Sequence, residues 1–374
     1  MSWDVIVVGV GGVGSQVLAA LADKGVRALG LDRFMPPHDR GSTHGETRII
    51  RLAYMEHPDY VPLVRRAYDG WAALEAKSGQ RLYEPCGLLQ VGPPDGAVVQ
   101  GVLESARIHG LAVDTLDAAE ARRRFPSFHV PEDMTAVFEQ RAGYLWVERC
   151  VEAALTVARA GGAEVEAGVT VHGWREDGDG VVVETSAGPR RAARLVVCPG
   201  AWAPELLRTL GVPFVVKRKP LSWFEAAPEP HGPTWLYETP HGVYYGFPSL
   251  PGTGLKAACH SGGDVVTDAL AVDRTLYPED HEPVSRFMAE YRPPHAQAPV
   301  TRGAVCMYTL TPDEHFVVDH HPQSSRVVVV AGLSGHGFKL THALGAIAAE
   351  LVLDGHTPSP VGFLSLDRFR AAAR

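Results

Sequence analysis

The sequence predicts an α/β chain, α+β overall, in which a parallel-sheet domain is interleaved with a second domain built on a large, mostly antiparallel sheet. Three observations predict it. The chain opens on a strand, helix, strand unit with a glycine-rich first turn. Segments of that character return in the middle and at the end, and the stretches between them read as short strands separated by Pro- and Gly-rich turns. At 374 residues, with 45% apolar and 21% charged residues, the chain can bury a large core and exceeds the usual length of one domain.

The opening WDVIVVGVGGVGSQVLAALADKGVRALGLDRF justifies the first unit. DVIVV is an unbroken apolar run of the kind found in buried parallel strands; VGSQVLAALADKG has helical spacing and ends at Gly25, a natural C′ residue; RALGLD reads as a second strand. Gly9, Gly11 and Gly14 fit G-x-G-x-x-G at the first turn, and Asp32 stands 18 residues after Gly14, where a carboxylate can take ribose hydroxyls. Without a charge at the helix start, a pyrophosphate would rest on bare backbone N–H groups and the helix dipole. This is the Rossmann-type dinucleotide fingerprint with its confirming context. By itself it does not choose between NAD and FAD.

MPPHDRGSTHGETRIIR follows, a Pro/Gly/His-rich loop carrying Arg48 and Arg51, which share a face if the stretch is helical. A nicotinamide dehydrogenase would usually continue into a third alternating strand here. Between Tyr60 and Gly79 the positions Leu63, Ala67, Tyr68, Trp71 and Leu74 give a helix face. CGLLQVG, TAVFEQRAGYLWV, PLSWFEA, GVYYGFPS and GLKAACH then read as strands of the second domain. Residues 147–202 resume α/β character: a helix and strand in VERCVEAALTVARAGGAEV, a hairpin at Asp177–Gly180, and a buried strand ARLVVCPGAW ending at Gly200. VVVVAGLSGHGFKLTHALGAIAAELVLDG closes the chain as strand, Gly-rich turn and helix. The expected division is 1–80, 145–215 and 304–374 for the cofactor-binding domain, with 81–144 and 216–303 for the substrate-binding domain.

Composition excludes several classes. Thirty-five basic against 43 acidic residues give a net charge of −8, with no basic run dense enough to track nucleic acid or an anionic membrane. No stretch approaches the ~20 apolar residues of a membrane span. The first strand begins almost at Met1, leaving no room for a signal peptide, so a cytoplasmic location is expected. Five widely spaced cysteines without a CxxC pair read as thiols of a reducing compartment. His320 and His321 have no further ligands at metal-like spacing, so no metal is expected.

GVGGVG, GSTHGETRIIR, YVPL, GVYYGFPS, GLKAACH, RGAVCMYT, PDEHF and GLSGHGFK occur in fixed order along the chain. In this the sequence resembles the monomeric sarcosine oxidase / N-methyltryptophan oxidase family of FAD-dependent amine oxidases, and its GAVCMYT stretch is nearer the sarcosine type. The resemblance implies a monomeric flavin-dependent oxidase that turns sarcosine or a similar small N-methyl amino acid, with water and dioxygen, into the demethylated amino acid, formaldehyde and hydrogen peroxide. A bulkier secondary amino acid, of N-methyltryptophan or pipecolate type, is the alternative.

It also implies residue roles. Cys306 is the expected thioether attachment point to the 8α-methyl of FAD. Around the cofactor stand Gly9, Gly11, Gly12, Val13, Gly14, Asp32, Arg33, Ser42, Thr43, Thr47, Val171, Gly200, Trp202, Met307, Gly335, Gly337, Phe338 and Lys339. Arg51 and Lys339 match a carboxylate-binding pair; two cations from different segments orient a carboxylate as one cannot. Arg48 and His44 match residues lying against the flavin. His260 and Tyr308 would present a neutral amine, with Tyr245 as a further wall. Lys256 matches the oxygen-activating lysine, a fixed charge where reduced oxygen forms. The GLSGHGF turn would offer backbone N–H groups to the flavin edge that gains charge on reduction. Two positions depart from the pattern: Thr43 stands where a second histidine commonly precedes His44, and Leu236 replaces a methionine-like residue near the substrate cleft, with Trp235 and Trp223 close by. Both bear on substrate choice.

A nicotinamide-dependent dehydrogenase would need no Cys306 linkage and would be colourless. A flavin-carrying subunit inactive on its own would have no reason to keep Lys256, Arg51 and Lys339 together.

Overall fold

Burial on both faces explains the first strand. In the computed structural model, which describes residues 2–371, β1 (Trp3–Val8) buries Val5 to Val8 in succession, as an unalternated apolar run requires. The chain turns at Gly9 (φ +83°) into α1 (Gly12–Asp23), stops at Gly25 (φ +70°), and returns as β2 (Ala28–Asp32), parallel to β1. A Cβ on Gly14 would lie 1.8 Å from Gly9 O, so this glycine is what lets helix and strand touch.

The next segment is extended. β3 (Thr47–Ile50) is a strand built from β-branched residues, so Arg48 and Arg51 do not share a helix face. α2 (Tyr60–Ser78) buries Leu63, Ala67, Tyr68, Trp71 and Leu74 along one stripe and ends at Gly79 in the left-handed region. Each such side chain contributes about 1.5–3 kcal/mol when fully buried.

β4 (Tyr83–Glu84), β5 (Leu88–Gly92), α3 (Ala97–His109), β6 (Asp114–Leu116), α4 (Ala118–Arg124), β7 (Thr135–Glu139) and β8 (Gly143–Trp146) follow. α5 (Val147–Ala160), β9 (Glu164–Ala167), β10 (Val171–Asp177), β11 (Gly180–Thr185) and β12 (Arg190–Val197) then lead back beside β1. The first sheet runs β10-β11-β12-β1-β2-β9, and its β12, β1, β2 and β9 are mutually parallel.

After the short α6 (Ala203–Leu206) come β13 (Val215–Phe224), β14 (Thr234–Thr239), β15 (Gly242–Gly246), β16 (Leu255–Cys259), β17 (Val265–Val266), α7 (Pro278–Tyr291) and β18 (Val300–Leu310). They complete a second sheet, β17-β13-β16-β15-β14-β5-β7-β6, with β18 on the free side of β13. Its pairings are antiparallel except β14 with β5, which is the mostly antiparallel sheet expected. β18 crosses the expected division at residue 304, and it pairs with β13 along the whole length of that strand. β3, β8 and β4 form a small third sheet. β19 (Val317–His321), β20 (Ser324–Ala331) and α8 (Thr341–Asp354) finish the first sheet, β20 lying parallel to the end of β12.

Among the described residues no helix is long and apolar enough to cross a membrane, and no cluster of His, Cys, Asp or Glu could hold a metal. All five cysteines are free.

Candidate active site

A cavity opens where β1, β2, β12 and β20 end, and β18 closes its far side. Carboxyl ends of parallel strands are where open α/β sheets bind nucleotides. Of the residues expected to hold a cofactor, Gly9, Gly11, Gly12, Val13, Asp32, Arg33, Ser42, Thr43, Val171, Gly200, Trp202, Cys306, Met307, Gly335, Gly337 and Phe338 all line it. Gly14, Thr47 and Lys339 do not: Gly14 serves the helix–strand contact, Thr47 faces Lys256, and Lys339 lines the neighbouring cavity.

The walls suit a dinucleotide. The first turn of α1 carries no acidic residue, and Gly12 N donates to Thr43 Oγ1 at 3.1 Å. Thr43 thus caps the first turn of α1 through a long-range side-chain contact. Asp32 is held by Val10 N (2.7 Å) and Phe34 N (2.9 Å) at the cavity edge. Arg33 Nη1 and Trp202 Nε1, both on cavity-lining residues, are buried without a hydrogen-bond partner. Such groups need one, and a polar cofactor would supply it.

The sulfur of Cys306 sits at the inner wall. Arg48 Nη2 donates to it at 3.5 Å, and the same guanidinium holds Ser42 O and Thr47 O. His44 stands beside the thiol with its Nε2 buried and lacking a partner of good geometry, so it acts as a close neighbour more than through an aligned bond. Burial pushes the thiol up, but His44 and the Arg48 guanidinium outweigh it and hold Cys306 at about 6. Burial drives the other resolved thiols the opposite way: Cys86 is pushed up to about 11, and Cys150 and Cys198 rise well above the usual range.

Lys256 is not a lining residue of either cavity. Its ammonium is buried behind Arg48 and donates to Gly45 O, Thr47 O (2.8 Å) and Thr47 Oγ1 (3.4 Å), with the Phe247 ring 4.8 Å away. Burial, then the nearby Arg48, hold it well below the ordinary lysine value. The turn offering those carbonyls is itself pinned by Glu148, which accepts from Gly45 N and Glu46 N.

A smaller cavity adjoins the first; Arg48, Tyr308, Gly335 and Phe338 belong to both walls. It brings together the expected Arg51, Lys339, Tyr245, His260, Tyr308 and Leu236. Gly335 is required here: a Cβ would lie 2.4 Å from the Tyr308 ring, and φ is +80°. His260 Nδ1 and Tyr308 Oη are 3.3 Å apart. Burial lowers His260 to about 4 and raises both Tyr308 and Tyr245, so imidazole and phenols are neutral at physiological pH.

Glu56 in this cavity is a residue that sequence reasoning missed. Its carboxylate meets Arg51 Nη2 at 2.7 and 2.8 Å. Burial alone would raise Glu56, yet Arg51, His336 and Lys339 hold it well below the usual carboxylate range. Arg51 and Lys339 both lie within 5 Å of the Tyr54 ring centroid, at 4.7 and 4.8 Å. Lys339 Nζ donates to His336 O at 2.6 Å, and burial followed by Arg51 lowers it to about 7. The two cations therefore share one internal anion. Trp235 is fully buried and stacks on Phe287, and Trp223 lies beside Lys256 and Arg302; neither lines the cleft.

Comparisons with known proteins agree with this geometry. Residues 4–351 match the family model described as FAD dependent oxidoreductase. The chain is 41% identical to a monomeric sarcosine oxidase of Streptomyces avermitilis over 385 residues, covering 99% of each protein. It is 38% identical to an N-methyl-L-tryptophan oxidase of Yersinia pestis, covering 99% of this chain and 100% of the other. Among solved structures, NikD, an unusual amino acid oxidase essential for nikkomycin biosynthesis, superposes with a TM-score of 0.86 at 26% identity over 97% of both chains. On sequence match, fold and cavity alike, the chain belongs to the FAD dependent oxidoreductase family.

Proposed function

We propose that the protein is a cytoplasmic, monomeric oxidase that demethylates sarcosine or a similar small N-methyl amino acid, giving the parent amino acid, formaldehyde and hydrogen peroxide. FAD, when bound, supplies the two-electron oxidation of the amine and the passage of electrons to dioxygen. The observation that carries the reading is the small cavity with two basic residues, Arg51 and Lys339, sharing the walls Arg48 and Tyr308 with the cavity lined by Gly9, Gly11 and Asp32.

The chain's own residues divide the work. Gly9–Val13, Asp32 and Thr43 would hold the dinucleotide, and Cys306, as thiolate, would form a thioether to the flavin 8α carbon, that methyl giving up a proton and the two electrons passing to dioxygen. Arg51 and Lys339 grip the substrate carboxylate, which competes with Glu56 for Arg51. His260 and Tyr308 are neutral and hydrogen-bonded to each other, so they can accept or donate at the substrate nitrogen without placing a charge beside it. Lys256, held by the Gly45 and Thr47 carbonyls behind the cavity wall, would favour negative charge arriving on oxygen when protonated. Ile49, Met55 and Leu236 make part of the wall apolar, and that wall sets side-chain tolerance.

The test has two parts. Acid precipitation of the purified protein should leave yellow colour in the pellet, and a panel of secondary amino acids should yield peroxide, with sarcosine among the best. A colourless pellet sinks the covalent linkage. Preference for N-methyltryptophan or pipecolate over sarcosine sinks the small-substrate reading.

A further inference from the structure

Lys219 takes no part in the roles above, yet it is among the more deeply buried charges, at 3% exposure. It stands on β13 directly opposite Cys306 of β18, on the sheet face that also carries Tyr308 two residues along. Its partners are carbonyls instead of a carboxylate. Nζ donates to His260 O and Ser261 O at 2.8 Å and to Gly262 O at 3.2 Å, three consecutive residues at the point where β16 ends. The Tyr308 ring centroid is 5.1 Å from the same nitrogen. Three acceptors match the three N–H donors of an ammonium, one more than a neutral amine has.

We propose that Lys219 is a positioning residue of the substrate site. Its ammonium gathers the His260–Gly262 carbonyls and supports the Tyr308 ring, and so sets the His260–Tyr308 pair that walls the smaller cavity. Burial lowers Lys219 to about 8, with Cys259 and Cys306 opposing and Lys217 adding to the shift, which leaves it mostly protonated at pH 7. The inference rests on that cavity being the amino acid site.

The test compares Lys219→Met with Lys219→Arg in the holoenzyme. Lys219→Met should raise KM for sarcosine about tenfold or more, with kcat changed less than KM. Lys219→Arg, which keeps the charge, should recover most of the loss. Hydrogen exchange followed by mass spectrometry should show faster exchange at residues 259–263 in the Met variant and less change in the Arg variant. Unchanged KM, unchanged exchange, or a loss of kcat and melting temperature that arginine does not rescue would overturn the proposal. If Lys219→Met gives no soluble enzyme, Lys219→Gln is measured to the same criteria. Should wild-type protein make no peroxide with any secondary amino acid, the oxidase reading fails, and hydrogen exchange still decides whether Lys219 orders the segment.

Discussion

Replacing Arg48 by methionine should uncouple cofactor binding from covalent attachment. Burial alone would raise the Cys306 thiol above its ordinary 9, and the His44 and Arg48 neighbours bring it to about 6. At pH 7 a thiol at about 6 is about nine-tenths thiolate; one returned to about 9 is about one-hundredth thiolate. A fall of about 90-fold would need both neighbours gone; with His44, the larger of the two influences, retained, Arg48→Met takes only part of it. Apoprotein of each form is incubated with FAD, quenched in acid at intervals, and the pellet's flavin fluorescence measured at pH 7 and pH 9. Wild type should attach flavin readily at both values. Arg48→Met should be slow at pH 7 and recover markedly at pH 9, where its thiol ionises. Attachment at the wild-type rate at pH 7, with the same pH dependence, would refute the electrostatic argument.

Other outcomes follow from the same geometry. Cys306→Ser should bind FAD yet release all of it into an acid supernatant, as read by absorbance. Lys256→Met should slow reoxidation of the reduced enzyme by oxygen, followed by stopped flow, at least about tenfold more than anaerobic reduction by sarcosine; equal slowing would remove Lys256 from that role. Lys339 is lowered from the lysine range to about 7, so its ammonium is present below that pH and lost above it. Binding of acetate, monitored by the flavin spectrum, should therefore weaken above pH 7 by up to about tenfold per unit, and Lys339→Arg should flatten that limb. The same shift means that the native state is relieved of an unfavourable buried charge as pH rises from about 7 towards the unfolded lysine value, so this group's contribution to stability improves across that window.

What could be read in the sequence was what local constraint writes there. Gly9, Gly14 and Asp32 are dictated by one turn and two adjoining elements: Gly9 takes φ +83°, Gly14 lets α1 touch the turn, and Asp32 accepts from Val10 N. Leu63 to Leu74 likewise announce α2 by their repeat. The Arg48–Arg51 segment was open to a helical reading because only spacing was weighed; Thr47, Ile49 and Ile50 favour extension, and β8 supplies the partner. α7 is only weakly written in the sequence: Val284, Phe287, Met288 and Tyr291 keep helical spacing, but Pro283 lies inside the helix. Glu56 and Lys219 had no legible signal. A lone acid in a loop and a lysine in a strand acquire meaning only from Arg51 and from the His260–Gly262 carbonyls, and the latter lie about 40 residues distant.

Cys306 and Tyr308 project from one face of β18, two residues apart, about 7 Å along an extended strand. The proposed tether and the pocket wall are thus graduations on a single stiff ruler, clamped along ten residues of β13. Reshaping the pocket through that strand would displace Cys306 with it. Variation in substrate preference is better sought at Met55 and Leu236, which line the cavity from other segments.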